Sequence, residues 1–195
     1  MNSRNCKELL MDVTIDLINE AHGEVEKVTI RDIAGRSGVS VGLIHYHFGN
    51  KDSLITACVQ RIIGGVVTSF RPDMGVGEGL PPLEAGKARL IKAAQEVFEF
   101  MLAHKSITRI SVLGDYQDYG DAANSHYSLE GFSHIIGDAI QDEQEKRRIA
   151  FALICAMQVS FLRCCVDPHF LGHDLSQKPE RDAHIAELVN QLMKE

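Results

Sequence analysis

The stretch VTIRDIAGRSGVSVGLIHYHFGNKDSLITACV, residues 28–59, decides the fold of this chain of 195 residues. It contains two short segments with helical periodicity that meet at Gly38 and Val39. Each segment follows a residue that commonly caps a helix, Thr29 before the first and Ser40 before the second. Two short helices joined by such a turn, with longer helices before and after, describe a helix-turn-helix. The second helix of this motif usually enters the major groove of DNA.

The apolar positions of this stretch predict a small core. We expect that core to contain Ile33, Ala34, Val39, Ile44, Phe48 and Leu54. Asn50 is a third candidate cap, for a helix that begins at Lys51.

The rest of the chain shows helical spacing and no strand pattern, which predicts an all-α protein. An N-terminal helix is expected to end near Gly23, and residues 107–114 are expected to form a short helix or an irregular segment. Longer helices are predicted over 51–70, 83–104, 121–140, 142–166 and 179–194.

Residues 71–82 are rich in glycine and proline and show no periodicity, which makes them the best candidate for a linker in the chain. We therefore expect an N-terminal helix-turn-helix domain of three helices over residues 1–50. A C-terminal helical bundle is expected over 51–195, and its first helix, 51–70, connects the two domains.

The charge distribution permits a local contact with nucleic acid. Residues 28–51 hold three basic side chains and one acidic one, a net charge of +2, while the whole chain carries −7, so the other residues carry −9. The protein as a whole is therefore not a general polyanion binder. Because phosphate contacts drive DNA affinity, a monomer is expected to bind weakly and to depend on dimerisation.

The cysteines and the apolar runs indicate the cytoplasm. The five cysteines are an odd number and form no CxxC pair, which argues against disulfides and a zinc finger. The N-terminus lacks the pattern of a signal peptide, and no segment reaches the length of a membrane span. We expect a cytoplasmic protein with no membrane partner.

Residues 28–59 resemble the DNA-binding signature of the TetR family of bacterial transcriptional regulators. The match rests on Thr29, Ile33, Ala34, Gly38, Val39, Ser40, Gly42, Phe48, Lys51 and Leu54. The resemblance implies a regulator of transcription, a repressor that a small molecule releases from its operator on double-stranded DNA. An activator or a corepressor-dependent regulator of the same fold is the alternative.

The resemblance also implies which residues contact DNA. They are Thr29, Arg31, Ser40, Val41, Gly42, Leu43, His45, Tyr46, His47 and Lys51. The recognition helix departs from the family pattern at Val41, Leu43 and His45, where a polar residue, Thr and Tyr are more usual. Apolar side chains in the groove read thymine methyl groups and not hydrogen-bond donors, so these departures leave the operator sequence undetermined.

The family's C-terminal domain usually encloses a small-molecule pocket and pairs with a second copy. Candidate lining residues, which otherwise belong to the core, are Phe98, Met101, Tyr116, Tyr119, Tyr127, Phe132, Phe151 and Met157. We expect a homodimer formed through residues 142–166 and 179–194. The run Ile149, Leu153, Ala156, Met157, Ser160 and Phe161 is too apolar for a solvent face and is expected to supply the contact.

Two histidine patterns raise the question of metal. His45 and His47 lie two apart on a helix and point in nearly opposite directions, so they cannot share an ion. The pair His173-Asp174, with His134 and Asp182, resembles the metal-dependent phosphohydrolases whose His-Asp pair lies on a helix, and a small helical hydrolase is the rival from another class.

Other features favour the regulator over the enzyme. Gly172 and Pro179 place the His-Asp pair in a loop. Cys164 and Cys165 are read as packing residues, with redox sensing as the alternative. We expect no catalytic residues, no metal and no cofactor.

Overall fold

The computed structural model describes residues 3–69, 75–117 and 124–194, and all regular structure in these ranges is helical. The helices are α1 (Ser3–Glu20), α2 (Ile30–Ser37), α3 (Val41–Phe48), α4 (Lys51–Ser69), α5 (Pro82–Ala103), α6 (Lys105–Gln117), α7 (Asn124–Ile136), α8 (Glu143–Cys164) and α9 (Lys178–Leu192). Short 3-10 turns lie at Val25–Lys27 and Gly137–Ala139. The prediction of an all-α fold with an N-terminal helix-turn-helix and a C-terminal helical domain is confirmed. Over the same ranges, no helix has the length and apolar character needed to cross a membrane.

The turn between α2 and α3 forms where the sequence predicts it. Gly38 has a φ of +66°, in the left-handed region that glycine enters at little cost and that commonly ends a helix. Val39 then packs into the core with 7% of its surface exposed. At the next boundary, the Ser53 N–H donates a hydrogen bond of 2.8 Å to Asn50 Oδ1, so the predicted cap of α4 is confirmed.

The chain divides into two compact units, and each combines segments that are distant in sequence. The first unit comprises Met1–Val66 and His104–Asn124, and the second comprises Val67–Ala103 and Ser125–Glu195. The first unit therefore contains α6 together with the helix-turn-helix. The predicted domain boundary after residue 50 concerns the helix-turn-helix alone and stays a prediction.

Helix α6 is longer and more regular than the sequence pattern predicts. The segment expected to be short or irregular is a continuous helix of 13 residues. Ile107, with 4% exposure, belongs to the core that contains Ile33, Ile44 and Leu54, and Ile110 packs against the same core. The core beneath the recognition helix is thus completed by a segment far along the chain.

The core of the second unit is built by α5, α8 and α9. Each helix buries apolar side chains at helical spacing, as an amphipathic helix in a bundle does. The deeply buried side chains include Leu90, Ala94, Phe98, Leu153, Met157, Phe161, Ile185 and Val189.

Helix α8 buries the face that was expected to be free. Of the run predicted to form the dimer contact, Leu153, Met157 and Phe161 are at most 2% exposed inside their own protomer. That interpretation is wrong about the face, because α8 is apolar on both sides and helical spacing alone does not tell which side packs inward. The exposed apolar side chains are Phe151 at 54% and Val159 at 50%.

Gly86 lets the turn at Gly137–Ala139 pack directly on α5. A Cβ on Gly86 would lie 2.3 Å from Ala139 Cβ and 3.1 Å from the Ile136 carbonyl oxygen.

We predict that Gly86→Ala lowers the free energy of unfolding by about 1–3 kcal/mol through overpacking, as measured by urea unfolding. Gly131→Ala in α7 is the matched control. An added Cβ there meets nothing within 4 Å, and alanine in a helix is favoured by up to about 1 kcal/mol. Equal unfolding free energies for the two variants would contradict the packing argument.

Candidate nucleic-acid interface

One face of the recognition helix α3 packs into the core, and the opposite face is exposed. Ile44 is fully buried, and Phe48 packs against the same core. Val41, Leu43 and Tyr46 are 36%, 45% and 79% exposed, although large side chains of this kind are usually buried. A cluster of exposed apolar and aromatic side chains on one helix is typical of a surface that binds a partner.

Ser40 places polar groups at the start of α3. Its Oγ accepts a hydrogen bond of 3.4 Å from the Leu43 N–H, which confirms the predicted cap. The hydroxyl proton donates to no acceptor among the described residues and is available to a phosphate oxygen. The remaining N–H groups of the first turn point the same way, and a helix N-terminus favours an anion.

Thr29 acts first as a cap. Its hydroxyl accepts a hydrogen bond of 3.2 Å from the Asp32 N–H and donates one of 2.5 Å to the Asp32 carboxylate, which also accepts the Thr29 N–H at 3.1 Å. The hydrogen bonds from Thr29 lower the pKa of Asp32 below its ordinary value of 3.8. Because the one hydroxyl proton is used inside the capping box, Thr29 acts here by fixing the start of α2.

The two arginines of α2 have different surroundings. Arg36 forms two contacts of 2.7 Å with the Glu20 carboxylate, and this hydrogen bonding lowers the pKa of Glu20. The positive charge of Arg36 is therefore neutralised by Glu20, and the net charge of +2 counted over residues 28–51 overstates the local excess. Arg31 is exposed and has no carboxylate within 4.0 Å among the described residues, so its guanidinium is free to meet phosphate or a base.

The His45 ring is hydrogen-bonded to the backbone at the end of its own helix. Its Nδ1 lies 2.8 Å from the Gly49 carbonyl oxygen. A carbonyl oxygen only accepts, so Nδ1 donates in this hydrogen bond. The next two side chains pack on each other, with the Tyr46 and His47 ring centroids 5.1 Å apart and nearly perpendicular.

Lys7 is a neighbour of the recognition helix that the sequence pattern does not reveal. Its Nζ lies 5.4 Å from the centre of the Phe48 ring, which holds an exposed cation of α1 beside the end of α3. Lys51, half-buried at the start of α4, has no carboxylate within 4.0 Å among the described residues. Only the fold connects Lys7 to this site, because α1 carries no motif of its own.

The candidate ligand-binding residues are not brought together as one set. Phe98, Met101, Phe132 and Met157 are at most 8% exposed and belong to the second unit, whereas Tyr127 and Phe151 are 41% and 54% exposed there. Tyr116 is 59% exposed and belongs to the first unit. Tyr119 lies outside the described residues.

The residues considered for a metal site are not arranged as a set of metal ligands. His173 and Asp174 lie in the loop between α8 and α9, and the Asp174 carboxylate accepts a backbone N–H of that loop at 2.9 Å. Asp182 pairs with a lysine at 3.0 Å, and His134 is exposed on α7. Over residues 3–69, 75–117 and 124–194, no group of three or more His, Cys, Asp or Glu side chains is placed to hold a metal ion.

The surroundings of His184 predict a stability that depends on pH. Its Nε2 lies 3.2 Å from the Ser160 hydroxyl. Burial, followed by the nearby His173, lowers the pKa of His184 below its ordinary value of 6.5. The unfolded chain therefore binds the proton more tightly. The stabilising contribution is full above the unfolded pKa and is lost as pH falls towards the folded value.

We predict that the free energy of unfolding falls between about pH 7 and pH 5, and that His184→Gln reduces this fall. Glutamine stays neutral over that range and retains a polar group for Ser160. Urea unfolding at several pH values measures the effect. Identical pH dependence in the two proteins would show that His184 does not carry it.

Taken together, the capped turn, the eight-residue recognition helix and its free outer face define a helix-turn-helix protein. The N-terminal part of the chain matches one family of that class. The sequence profile described as "Bacterial regulatory proteins, tetR family" matches residues 11–58, which include α2, α3 and much of α1 and α4. The resemblance inferred from residues 28–59 is thereby confirmed.

Two curated relatives align with part of the chain. It is 30% identical over 78 residues to the HTH-type transcriptional dual regulator CecR of Shigella flexneri. It is 42% identical over 53 residues to the HTH-type transcriptional regulator BetI of Klebsiella pneumoniae (strain 342). The alignments cover 37% and 27% of this chain and 35% and 26% of the relatives, so the chain matches about a third or less of their length.

Solved structures resemble the chain over nearly its whole length. A TetR transcriptional regulator from Rhodococcus sp. RHA1 superposes with a TM-score of 0.61 at 16% identity, covering 98% of this chain and 97% of the other. A tetR-family transcriptional regulator from Streptomyces coelicolor gives a TM-score of 0.59 at 18% identity, with 98% and 80% covered. At these identities the likeness concerns the fold.

Proposed function

We propose that this protein is a transcriptional regulator that binds operator DNA as a homodimer and works in the cytoplasm. The observation that carries the proposal is the outer face of α3, where Leu43 and Tyr46 are exposed while Ile44 and Phe48 pack into the core. The proposed contact residues remain Thr29, Arg31, Ser40, Val41, Gly42, Leu43, His45, Tyr46, His47 and Lys51. Lys7 joins them because it lies beside Phe48.

The proposed regulation is repression relieved by a small molecule that binds in the second unit. The buried side chains Phe98, Met101, Phe132 and Met157 remain candidates to line its site. An activator or corepressor-dependent regulator stays the alternative, and the name of the CecR relative, a dual regulator, favours testing both signs. A reporter gene behind the operator, with and without the protein, distinguishes them.

The proposed coupling runs along the chain. Helix α5 ends at Ala103 and α6 begins at Lys105, and α6 contributes Ile107 to the core under the recognition helix. A ligand that shifts α5 or α4 can therefore move that core through the continuous chain. For a tenfold loss of DNA affinity the ligand must favour the non-binding state by about 1.4 kcal/mol, within the usual range of coupling energies.

The DNA-binding proposal is tested by selection from a random double-stranded pool. We expect enrichment of a pseudo-palindrome whose half-sites lie one helical turn, or a multiple of it, apart. Failure to enrich any sequence, with the protein folded and dimeric, would overturn the proposal.

A substitution at Gly42 is expected to affect the stability of the fold and the affinity for DNA in opposite directions. It lies in α3, and the nearest atom to an added Cβ is Ser40 Oγ at 3.9 Å, so the free protein has room for alanine. We predict that Gly42→Ala raises the free energy of unfolding by up to about 1 kcal/mol. The same methyl group would fill the gap between the α3 backbone and the groove.

The expected cost on selected DNA is about tenfold in affinity, or 1.4 kcal/mol, measured by fluorescence anisotropy. Gly131→Ala, also a helix glycine with open space around it, should stabilise the protein and leave DNA affinity unchanged. Unchanged affinity of Gly42→Ala would mean that α3 does not approach DNA closely at this position.

The dimer proposal rests on the second apolar face of α8. Phe151, Cys155, Val159 and Leu162 recur at helical spacing and are half-buried or exposed in the protomer, and Val166 follows at 79% exposure. A stripe of this kind on a helix whose other side already packs inward is typical of a face that a second copy covers.

We predict that Val159→Asp converts the dimer to a monomer, because a charge would have to be desolvated at the centre of the stripe. Light scattering at micromolar concentration measures the mass. Leu171→Asp is the control: it also replaces an exposed apolar residue, 43% exposed, but lies in the loop beyond α8. A monomeric wild-type protein, or a dimeric Val159→Asp variant, would remove α8 from the interface.

A further inference from the structure

A cavity of about 610 Å³ lies in the second unit. Its walls come from α5, the end of α7, the turn at Gly137–Ala139 and the start of α8. Its volume falls in the range of sites for small molecules. Unlike the buried core of α5, α8 and α9, this cavity is lined with charged side chains, which indicates a ligand with charges of its own.

Arg89 lies in the wall of the cavity beside a closely packed turn. One turn before Arg89, Gly86 lets the 3-10 turn pack against α5 at a distance that no side chain would permit. The Arg89 Nε donates to the Ile135 carbonyl oxygen at 3.5 Å, and an added Cβ on Gly137 would lie 3.7 Å from Arg89 Nη2. The guanidinium is thus held at the wall with its other N–H groups left for a ligand.

Most charges around the cavity are already paired. Lys146 contacts Glu143 at 2.6 Å, and Glu130 contacts Arg147 at 2.5 Å. Among the residues that the structure describes, Arg89 has no carboxylate within 4.0 Å, and the exposed Asp138 carboxylate has no cation within that distance. One half-buried cation and one anion therefore line the same cavity without being paired.

We propose that this cavity binds a small zwitterion, a molecule that carries one carboxylate and one ammonium group, as free amino acids do. The carboxylate lies on the Arg89 guanidinium, whose planar fork matches two carboxylate oxygens. The ammonium lies on Asp138. A dianion would meet Asp138 and the other acids of the wall, and a dication would meet Arg89, so the charge pattern selects against both.

The site deepens the proposed regulation, since a zwitterion bound here is a candidate effector, and only that regulatory role rests on the proposed function. Binding itself can be measured without DNA. The probes are the standard proteinogenic amino acids and simple ω-amino acids, screened by thermal shift on the full chain and then titrated by calorimetry. For each binder, the matched amide lacks the carboxylate and the matched deaminated acid lacks the ammonium.

We expect at least one zwitterion to bind, and both single-charge analogues to bind at least about tenfold more weakly, as loss of a charge-assisted contact implies. Arg89→Met and Asp138→Asn should each cause a similar loss. Lys92→Met is the control, because Lys92 lies on the same helix but pairs with Glu96 at 3.1 Å. Asp138 is exposed, so its variant remains informative if Arg89→Met is poorly folded.

Absence of binding by every probe at millimolar concentration would overturn the proposal, as would equal binding by wild type and both cavity variants. Anisotropy on selected DNA, with and without the bound zwitterion, then reports on regulation. Zwitterion binding without DNA binding would overturn the proposed function and leave the site standing. DNA binding without zwitterion binding would do the reverse.

Discussion

A helix of eight residues is not stable in water by itself, because nucleation is costly and few hydrogen bonds follow it. Helices α2 and α3 each have eight residues, and each fully buries a single isoleucine, Ile33 in α2 and Ile44 in α3. The recognition surface therefore depends on the contact of these two side chains with α1, α4 and α6. Everything that α3 presents outward is available only while that small core is intact.

This constraint explains which parts of the site are readable from the sequence. Capping at Thr29, Ser40 and Asn50 is local, since each side chain bonds to a backbone N–H three residues on. The left-handed turn at Gly38 is local as well. Such signals need no knowledge of the rest of the chain, and together with the resemblance of residues 28–59 they were enough to predict the motif and the fold class.

Contacts between distant segments were not predictable in the same way. Nothing near Ile107 indicates that it completes the core beneath α3, and nothing near Lys7 indicates that it stacks on Phe48. The two faces of α8 have similar composition, so only packing against α5 and α9 decides which one is buried. The cavity at Arg89 was not predictable either, because its charged residues come from segments that are far apart in the sequence.

The ion pairs of the first unit limit how the site can attract DNA. Arg36 is bound to Glu20, and Arg61 contacts both Glu8 and Asp12, so these cations add little to the field outside. Fewer released counterions mean that phosphate contacts supply a smaller share of the affinity. In the proposed complex, the remaining share comes from shape and from the apolar side chains of α3 against base edges. In the proposed complex, the exposed leucine and valine of α3 read thymine methyl groups, and they would thereby distinguish one base sequence from another.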